Sequence, residues 1–148
     1  MTAFKKPVSV LVIIHTPELQ ILLLERASHP GYWQSVTGSQ EDGESLIETA
    51  QREVEEETGI RTDPAQIKDW HLSNRFEIFA EWRYRYAPEV THNTEHVFAL
   101  EVPSARTVRL APDEHLAFQW LPWREAAEKC FSWSNRDAIL MLPERKAR

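Results

Sequence analysis

The sequence has little cysteine and little glycine, and this scarcity excludes several classes of protein. Cys130 is the only cysteine, so no disulfide can form within the chain and no zinc-binding spacing exists. The four glycines are too few for a P-loop or a dinucleotide-binding fingerprint. No G-x-S-x-G or H-E-x-x-H pattern occurs, and we interpret the six histidines as loop, surface or ordinary core residues. A reducing, cytoplasmic environment is therefore expected.

Long apolar runs and an excess of positive charge are also missing. The run VSVLVII follows Lys5 and Lys6, but it is too short for a signal peptide and no cleavage site comes after it. No segment approaches transmembrane length. The formal net charge of −6 argues against a general nucleic-acid binder. We expect residues 1–148 to form one domain with neither a membrane nor a nucleic-acid partner.

The most informative stretch present is GSQEDGESLIETAQREVEEETGI, which begins at Gly38. Ser45 predicts a helix N-cap, and a glutamate three residues later completes a capping box. Gly59 suits the position just past the helix end, where glycine adopts the left-handed conformation cheaply. Leu46, Ala50 and Val54 recur every four residues and predict one buried face, with the opposite, exposed face largely acidic.

Three glutamates of this helix share one patch. Glu53, Glu56 and Glu57 stand at i, i+3 and i+4, where like charges disfavour the helix by roughly 0.2–0.5 kcal/mol per pair. Bound cations would reverse that effect, because carboxylate oxygens are the ligands preferred by Mg²⁺ and Mn²⁺. The alternative is an ordinary solvated, charged helix face.

The spacing around these glutamates matches a known pattern at each defined position. It reads Gly38, five residues, Glu44, seven residues, Arg52-Glu53-Val54, one residue, Glu56-Glu57, one residue, Gly59-Ile60. In this the chain resembles the Nudix hydrolase family. The resemblance implies an α/β/α sandwich and metal-dependent hydrolysis at a P–O–P bridge, with Mg²⁺ as cofactor and Mn²⁺ as a substitute.

The resemblance also implies roles for individual residues. The implied metal ligands are Glu53, Glu56, Glu57 and Gly38, the last through its closely approaching backbone. One further carboxylate from a downstream loop is implied, and Glu114 is the candidate, with Asp113 as its competitor. These four glutamates are the catalytic candidates, and the general base among them stays open. Glu44 and Arg52 are expected to orient the cluster.

The rest of the chain predicts an α/β fold with a mixed sheet between helices. The predicted strands are 7–15, 20–25, 32–37, 69–86, 95–102 and 117–121. A helix is predicted from 122 or 123 to about 130, and Ser134 is expected to cap a last helix over 135–142. Arg83 and Arg85 are interpreted as structural strand residues. Arg26, at the end of the second strand, either contacts phosphate or is simply solvated.

Several stretches outside the Nudix pattern resemble one bacterial subgroup of the family. They are FKKPVSVLV, YWQSVTGS, RFEIF, RYRYAPEVTHNTE, DEHLAF and SWSNR. This resemblance implies hydrolysis of 7,8-dihydroneopterin triphosphate to the monophosphate and pyrophosphate in folate biosynthesis. The substrate-binding residues it implies are Lys5, Arg26, Thr37, Phe76, Glu77, Ile78, Phe79 and Ser132. For FEIF the alternative is a core strand, and for Ser132 it is helix capping.

Two other functions compete with this one. A nucleotide pyrophosphatase of the MutT type, acting on oxidised dGTP, would share the pattern and the size, and slow turnover of dATP-like nucleotides is expected even for the pterin enzyme. A module that binds a nucleotide without hydrolysing it would be favoured by loss of the carboxylates, and all of them are present. In each case the expected partner is a small molecule. The oligomeric state stays open.

Overall fold

A computed structural model describes residues 4–147, so the ends of the predicted 1–148 domain lie outside the described residues. Its strands are β1 (Val8–His15), β2 (Gln20–Arg26), β3 (Trp33–Gln34), β4 (Val36–Ser39), β5 (Ile67–Glu77), β6 (His92–Glu101) and β7 (His115–Pro122). Its α-helices are α1 (Leu46–Thr58), α2 (Trp123–Lys129) and α3 (Trp133–Lys146). Two short 3-10 helices cover Pro64–Gln66 and Ala80–Arg85. None of the helices in this range is long and apolar enough to cross a membrane.

The strands form one mixed sheet around β1. β1 pairs with β6 in parallel along its whole length, and its other edge pairs antiparallel with β4 and, at His15, with β2. The main path runs β3-β2-β1-β6-β5, with β7 beside β2. The predicted α/β fold with a mixed sheet is therefore confirmed.

Alternate residues of β1 enter two separate cores, which explains the unbroken apolar run of this strand. Val10 and Val12 pack with Ala50 and Val54 of α1 on one face of the sheet. On the other face, Leu11 and Ile13 of β1 pack with residues of the two later helices, namely Ala126 of α2 and Ile139 and Leu142 of α3. Burying each such aliphatic side chain is worth about 1.5–3 kcal/mol. Helices thus cover both faces of the sheet.

The ends of α1 follow the sequence signals. The Ser45 side chain accepts from the Glu48 N–H, and the Glu48 carboxylate accepts from the Ser45 N–H at 2.8 Å. Gly59 has φ of 78°, and its N–H donates to the Glu55 carbonyl at 2.8 Å. The expectation of an exposed acidic face was wrong in part, because Glu53 and Glu57 are buried. These two carboxylates are enclosed by the protein and do not lie in open solvent.

Three predicted elements differ from those observed. The strand predicted over 32–37 is divided at Ser35 into β3 and β4, because the first pairs with β2 and the second with β1. The strand predicted over 69–86 ends at Glu77, since β6 begins at His92 and residues 78–91 must connect the antiparallel pair. Arg83 and Arg85 therefore lie in a 3-10 helix, and their interpretation as strand residues was wrong. The cap of α3 is Ser132, whose side chain accepts from the Asn135 N–H at 3.3 Å, whereas Ser134 is buried inside the first turn.

Candidate functional site

A cleft of about 1090 Å³ lies against the sheet and is lined by residues of β1, β4 and β6 and of the ends of β2 and β5. One end is formed by the acidic side of α1, by β4 and by the residues just before β7. The other end is formed by the start of β6, the 3-10 helix Ala80–Arg85 and the start of α3. Every predicted site residue lines this cleft except Glu44, which accepts a hydrogen bond from Arg52 of the lining. The structure therefore brings together in one cleft residues that are as distant in the sequence as Lys5 and Ser132.

Gly38 provides the space for a carboxylate in the acidic end. It lies on β4, opposite Val10 of β1, and a Cβ atom placed on it would overlap the carboxyl group of Glu53. Glycine is thus required here by the packing of α1 against β4. This is a different reason from the backbone approach to a metal that the sequence suggested.

Arg52 holds several carboxylates of the acidic end. Its Nε and Nη2 donate to the two oxygens of Glu44 at 2.6 and 3.0 Å, and its Nη1 donates to Glu53 at 2.7 Å. Nη2 also donates to the carbonyl of Ser39 on β4 at 3.0 Å. These hydrogen bonds lower the pKa of Glu44 to about 2. The geometry fits the orienting role predicted for Arg52 and Glu44.

Glu57 is the most buried carboxylate of the site, with 1% of the residue exposed. Its Oε1 has no hydrogen-bond partner within residues 4–147 and lies 3.6 Å from Nε2 of His115. Burial raises the pKa of Glu57 well above its usual value, and the side chain of Glu53 raises it further. Burial also lowers the pKa of His115 to about 4, with Arg26 adding to the effect. A buried, unpaired carboxylate is costly unless a cation or proton joins it.

Glu114 joins Glu57 and His115 in a group that could bind a metal ion. One potential ligand atom from each of the three lies within 4.8 Å of the others. The downstream carboxylate predicted from the sequence is thus placed beside the helix glutamates. Asp113 also lines the cleft but is not part of this group. Glu56 is exposed and pairs with Arg52 at 3.2 Å.

Arg26 is partly enclosed in the middle of the cleft. Its Nη1 donates to Gln34 Oε1 at 3.0 Å, its guanidinium lies 4.6 Å from the ring centre of Trp82, and its buried Nε has no partner in the described part of the chain. Arg26 is thus held by protein contacts on several sides, and its contact with phosphate stays a prediction. Lys5 is exposed at the rim, and its N–H donates to the carbonyl of Arg85 at 2.9 Å.

Aromatic rings form the wall beyond Arg26. Trp82 lies 5.1 Å from Phe79 and 6.1 Å from Phe131, measured between ring centres. Phe79 is 45% exposed, so its ring is available to a ligand, whereas Ile78 is buried. Edge and face contacts of this kind suit a flat heterocycle. Of the FEIF residues, Glu77 is already engaged, because Arg83 donates to it at 2.6 Å.

The side chains of Thr37 and Ser132 both form hydrogen bonds within the protein. The Thr37 hydroxyl donates to the Val10 carbonyl at 2.9 Å, which leaves its lone pairs free to accept. Ser132 caps α3 and also lines the cleft, so capping does not exclude the contact predicted for it.

Several residues of the cleft were not among the predicted site residues. They are Asn93, Glu95, Trp82, Arg85, His115, Phe131 and Asn135. A signal for two of them was present in β6, where Asn93 and Glu95 share the side-chain alternation of the core residues Val97 and Ala99. Polar side chains in phase with a buried face indicate a lined cavity. The others depend on how the loops fold back, which no local pattern reveals.

Comparison with known proteins identifies the class of this molecule. Residues 5–142 match the NUDIX domain, and the chain belongs to the Nudix family. The mixed sheet between helices is the fold of that family, and the prediction of a Nudix hydrolase is confirmed.

Similar proteins with a known name indicate which subgroup of the family the chain resembles. The chain is 45% identical over 139 residues to the dihydroneopterin triphosphate diphosphatase of Escherichia coli K12. This alignment covers 92% of this chain and 91% of the relative. It is 40% identical over 142 residues to the enzyme of the same name from Haemophilus influenzae, covering 94% and 89%. The solved structure of the E. coli dihydroneopterin triphosphate pyrophosphohydrolase superimposes with a TM-score of 0.87 over 93% of this chain and 95% of that one. The predicted similarity to this subgroup is confirmed.

Proposed function

We propose that this chain is a Mg²⁺-dependent hydrolase that converts 7,8-dihydroneopterin triphosphate to dihydroneopterin monophosphate and pyrophosphate, a step of folate biosynthesis. The observation that carries the proposal is a single cleft with carboxylates at one end and an aromatic, polar wall at the other. The names of the E. coli and H. influenzae relatives support the same substrate, because they align with nearly all of this chain.

The acidic end fits a divalent metal ion. Glu57 carries a buried oxygen without a partner, and Glu53 is buried next to it, so added positive charge would relieve both. The donors are carboxylate oxygens, which Mg²⁺ prefers, and Mn²⁺ is expected to substitute. Metal would be held by Glu53, Glu56, Glu57 and Glu114, beside the backbone of Gly38. When bound, it would neutralise phosphate charge and acidify water at the site.

The chain's own residues carry out the remaining steps. Water adds to a phosphorus of the bridge between the α and β phosphates, a P–O bond of that bridge breaks, and pyrophosphate leaves. One of the four glutamates takes the proton of the attacking water as general base. Arg52 keeps Glu44 and Glu53 in place, so that little rearrangement is needed during the reaction.

Arg26 and Lys5 are the proposed contacts of the triphosphate. The unpaired Nε of Arg26 needs an acceptor, and a phosphate oxygen supplies one with charge assistance. Arg85 lies close enough to lower the pKa of Arg26, second to burial, so the two guanidiniums together favour a polyanion. Thr37 lines the approach. An acidic chain with a net charge of −6 needs such local cations to bind a polyphosphate.

Phe76, Ile78 and Phe79 are the proposed wall against the ring system, with Trp82 beside them and Ser132 as a polar contact. The residues that bind the metal and the phosphates would accept any triphosphate. The wall around the ring system must therefore provide the preference for one substrate.

The test is pyrophosphate release with Mg²⁺ from 7,8-dihydroneopterin triphosphate, dATP and oxidised dGTP, compared by kcat/KM. We expect the pterin to be preferred, dATP to be turned over slowly, and a chelator to abolish all three activities until Mg²⁺ is restored. A higher kcat/KM for a nucleotide would contradict the proposed substrate and favour the nucleotide pyrophosphatase. Absence of release from all three would contradict hydrolysis of triphosphates altogether.

A further inference from the structure

Buried polar atoms without a partner are concentrated in the cleft. Among residues 4–147, six residues have a buried side-chain nitrogen or oxygen that makes no hydrogen bond, and five of the six line the cleft. These five are Arg26, Glu57, Asn93, Glu95 and His115. Three of them belong to the metal and phosphate end described above. Asn93 and Glu95 lie on β6, and the proposed reaction gives them no role.

Glu95 is held firmly at the bottom of the cleft. Its residue is 6% exposed and lies in the sheet between Ser9 of β1 and Asn74 of β5. Its Oε1 has no partner in the described chain. Asn93, two residues earlier, points to the same face, and its Nδ2 donates to Ser9 Oγ at 2.8 Å, which leaves its Oδ1 unpaired.

The buried carboxyl group of Glu95 lacks a hydrogen-bond donor for one of its oxygens. Burial raises the pKa of Glu95 to about 7, and a hydrogen bond from the Ser134 side chain offsets only part of that effect. An ionised carboxylate is an acceptor only, with two oxygens side by side. Two N–H groups at matching spacing would satisfy it and favour its charged form, whereas an apolar ligand edge would leave it unpaired.

We infer that Glu95 is the specificity-determining residue of the cleft, and that its carboxylate accepts hydrogen bonds from the ring N–H and the exocyclic amino group of a 2-amino-4-oxopyrimidine ring. This inference deepens the proposed function and rests on it, because dihydropterin carries that edge. Asn93 Oδ1 offers a further acceptor on the same face. The aromatic rings would stack on the face of the heterocycle, and Glu95 would accept hydrogen bonds from the N–H groups on its edge.

This arrangement separates substrates that share a triphosphate. Dihydropterin and guanine both present a ring N–H beside an amino group. Adenine presents an amino group beside a ring nitrogen that only accepts, so one oxygen of Glu95 would face another acceptor. A site built around hydrogen bonds to the substrate rejects an analogue that cannot complete them.

The test compares Glu95→Gln with the wild-type chain on 7,8-dihydroneopterin triphosphate, dGTP and dATP. Glutamine keeps the shape but replaces one acceptor by a donor. We expect kcat/KM for the pterin and for dGTP to fall by roughly ten-fold or more relative to dATP. Binding of 7,8-dihydroneopterin without phosphates or metal should weaken by a similar factor. Glu101→Gln is the matched control, since it removes the same charge from the exposed far end of β6 and should leave each ratio unchanged.

The outcomes separate this inference from the proposed function. A wild-type preference for the pterin that survives Glu95→Gln overturns the inference and leaves the proposed function standing. An equal loss on all three substrates also overturns it, because it indicates a structural role. If the wild type prefers nucleotides, the pterin is refuted as the substrate. If Glu95→Gln then also lowers the ratio of kcat/KM for dGTP to kcat/KM for dATP, the hydrogen-bonding role of Glu95 is still supported. If Glu95→Gln does not fold, Glu95→Asp should show the same selective loss, and unchanged ratios in it would overturn the inference.

Discussion

The carboxyl group of Glu53 occupies the space that a side chain on Gly38 would need. Gly38→Ala should therefore displace Glu53 from its position between Arg52 and Glu57. We expect turnover to fall by at least about ten-fold and stability to drop by about 1–3 kcal/mol from overpacking. Steady-state kinetics and thermal unfolding measure the two effects.

A double-mutant cycle provides the control for this first prediction. If Gly38 acts through Glu53, the loss from Gly38→Ala should largely disappear when Glu53→Gln is already present. Losses that simply add would mean that Gly38 contributes to activity by another route.

Glu57→Gln should remove most Mg²⁺-dependent turnover without loss of the fold. Glu57 is almost fully buried, and burial already favours its neutral form, so a neutral amide of the same shape costs little stability without metal. The Mg²⁺-induced rise in Tm should shrink as well, because that rise measures binding to the folded state.

Glu55→Gln is the matched control for this second prediction. Glu55 lies on the same helix, but it is exposed and pairs with Arg61 at 3.3 Å. It should keep wild-type turnover and the full Mg²⁺ response. Near-wild-type activity in Glu57→Gln would exclude Glu57 from the metal site.

The sequence was sufficient for features that depend on local spacing. The caps of α1 and the grouping of Glu53, Glu56 and Glu57 follow from periodicity and from residues within one or two turns. The burial of Glu57 did not follow, because helical spacing sets which side chains share a face but not what packs over that face. Here His115, 58 positions later in the chain, lies over the glutamates.

Loop-dependent parts of the cleft were also beyond sequence reasoning. The alternation in FEIF suggested a strand through Tyr86, but a strand continues only where a partner exists, and β6 begins at His92. The resulting 3-10 helix places Trp82 over Arg26. The pattern of the strand predicted over 95–102 does not by itself assign a function to Glu95, although a carboxylate in phase with core residues indicates a lined cavity.

The buried carboxyl of Glu95 should leave a signature in the pH dependence of stability. Its pKa is about 7 in the folded protein against 4.5 for the ordinary side chain. Between these values the folded protein keeps a proton that the unfolded chain has released, so stability falls as pH rises through this window. The loss amounts to about 3 kcal/mol.

Chemical unfolding of the metal-free protein from pH 4.5 to 8 measures this third effect. Glu53 and Glu57 also have raised pKa values and contribute in the same direction, so the informative quantity is the difference between the wild type and Glu95→Gln. The variant should lose less stability across the window, and Glu101→Gln should follow the wild type. Parallel curves for the wild type and Glu95→Gln would show that Glu95 is charged in both states.

Phe76→Ala should weaken the binding of the pterin substrate more than the binding of pyrophosphate, which has no ring. Phe76 is half-buried at the end of β5 and lines the cleft next to the aromatic wall, so its removal takes contact area from the ring and none from the phosphates. We expect kcat/KM for 7,8-dihydroneopterin triphosphate to fall by roughly ten-fold. The variant loses a stacking contact worth about 0.5–1.5 kcal/mol and, in addition, the free energy of burying the Phe76 ring against the substrate. Tyr84→Ala is the control, because Tyr84 is 74% exposed and lies outside the cleft. An equal weakening of pyrophosphate binding, which involves no ring, would show that Phe76 supports the strand rather than the ring.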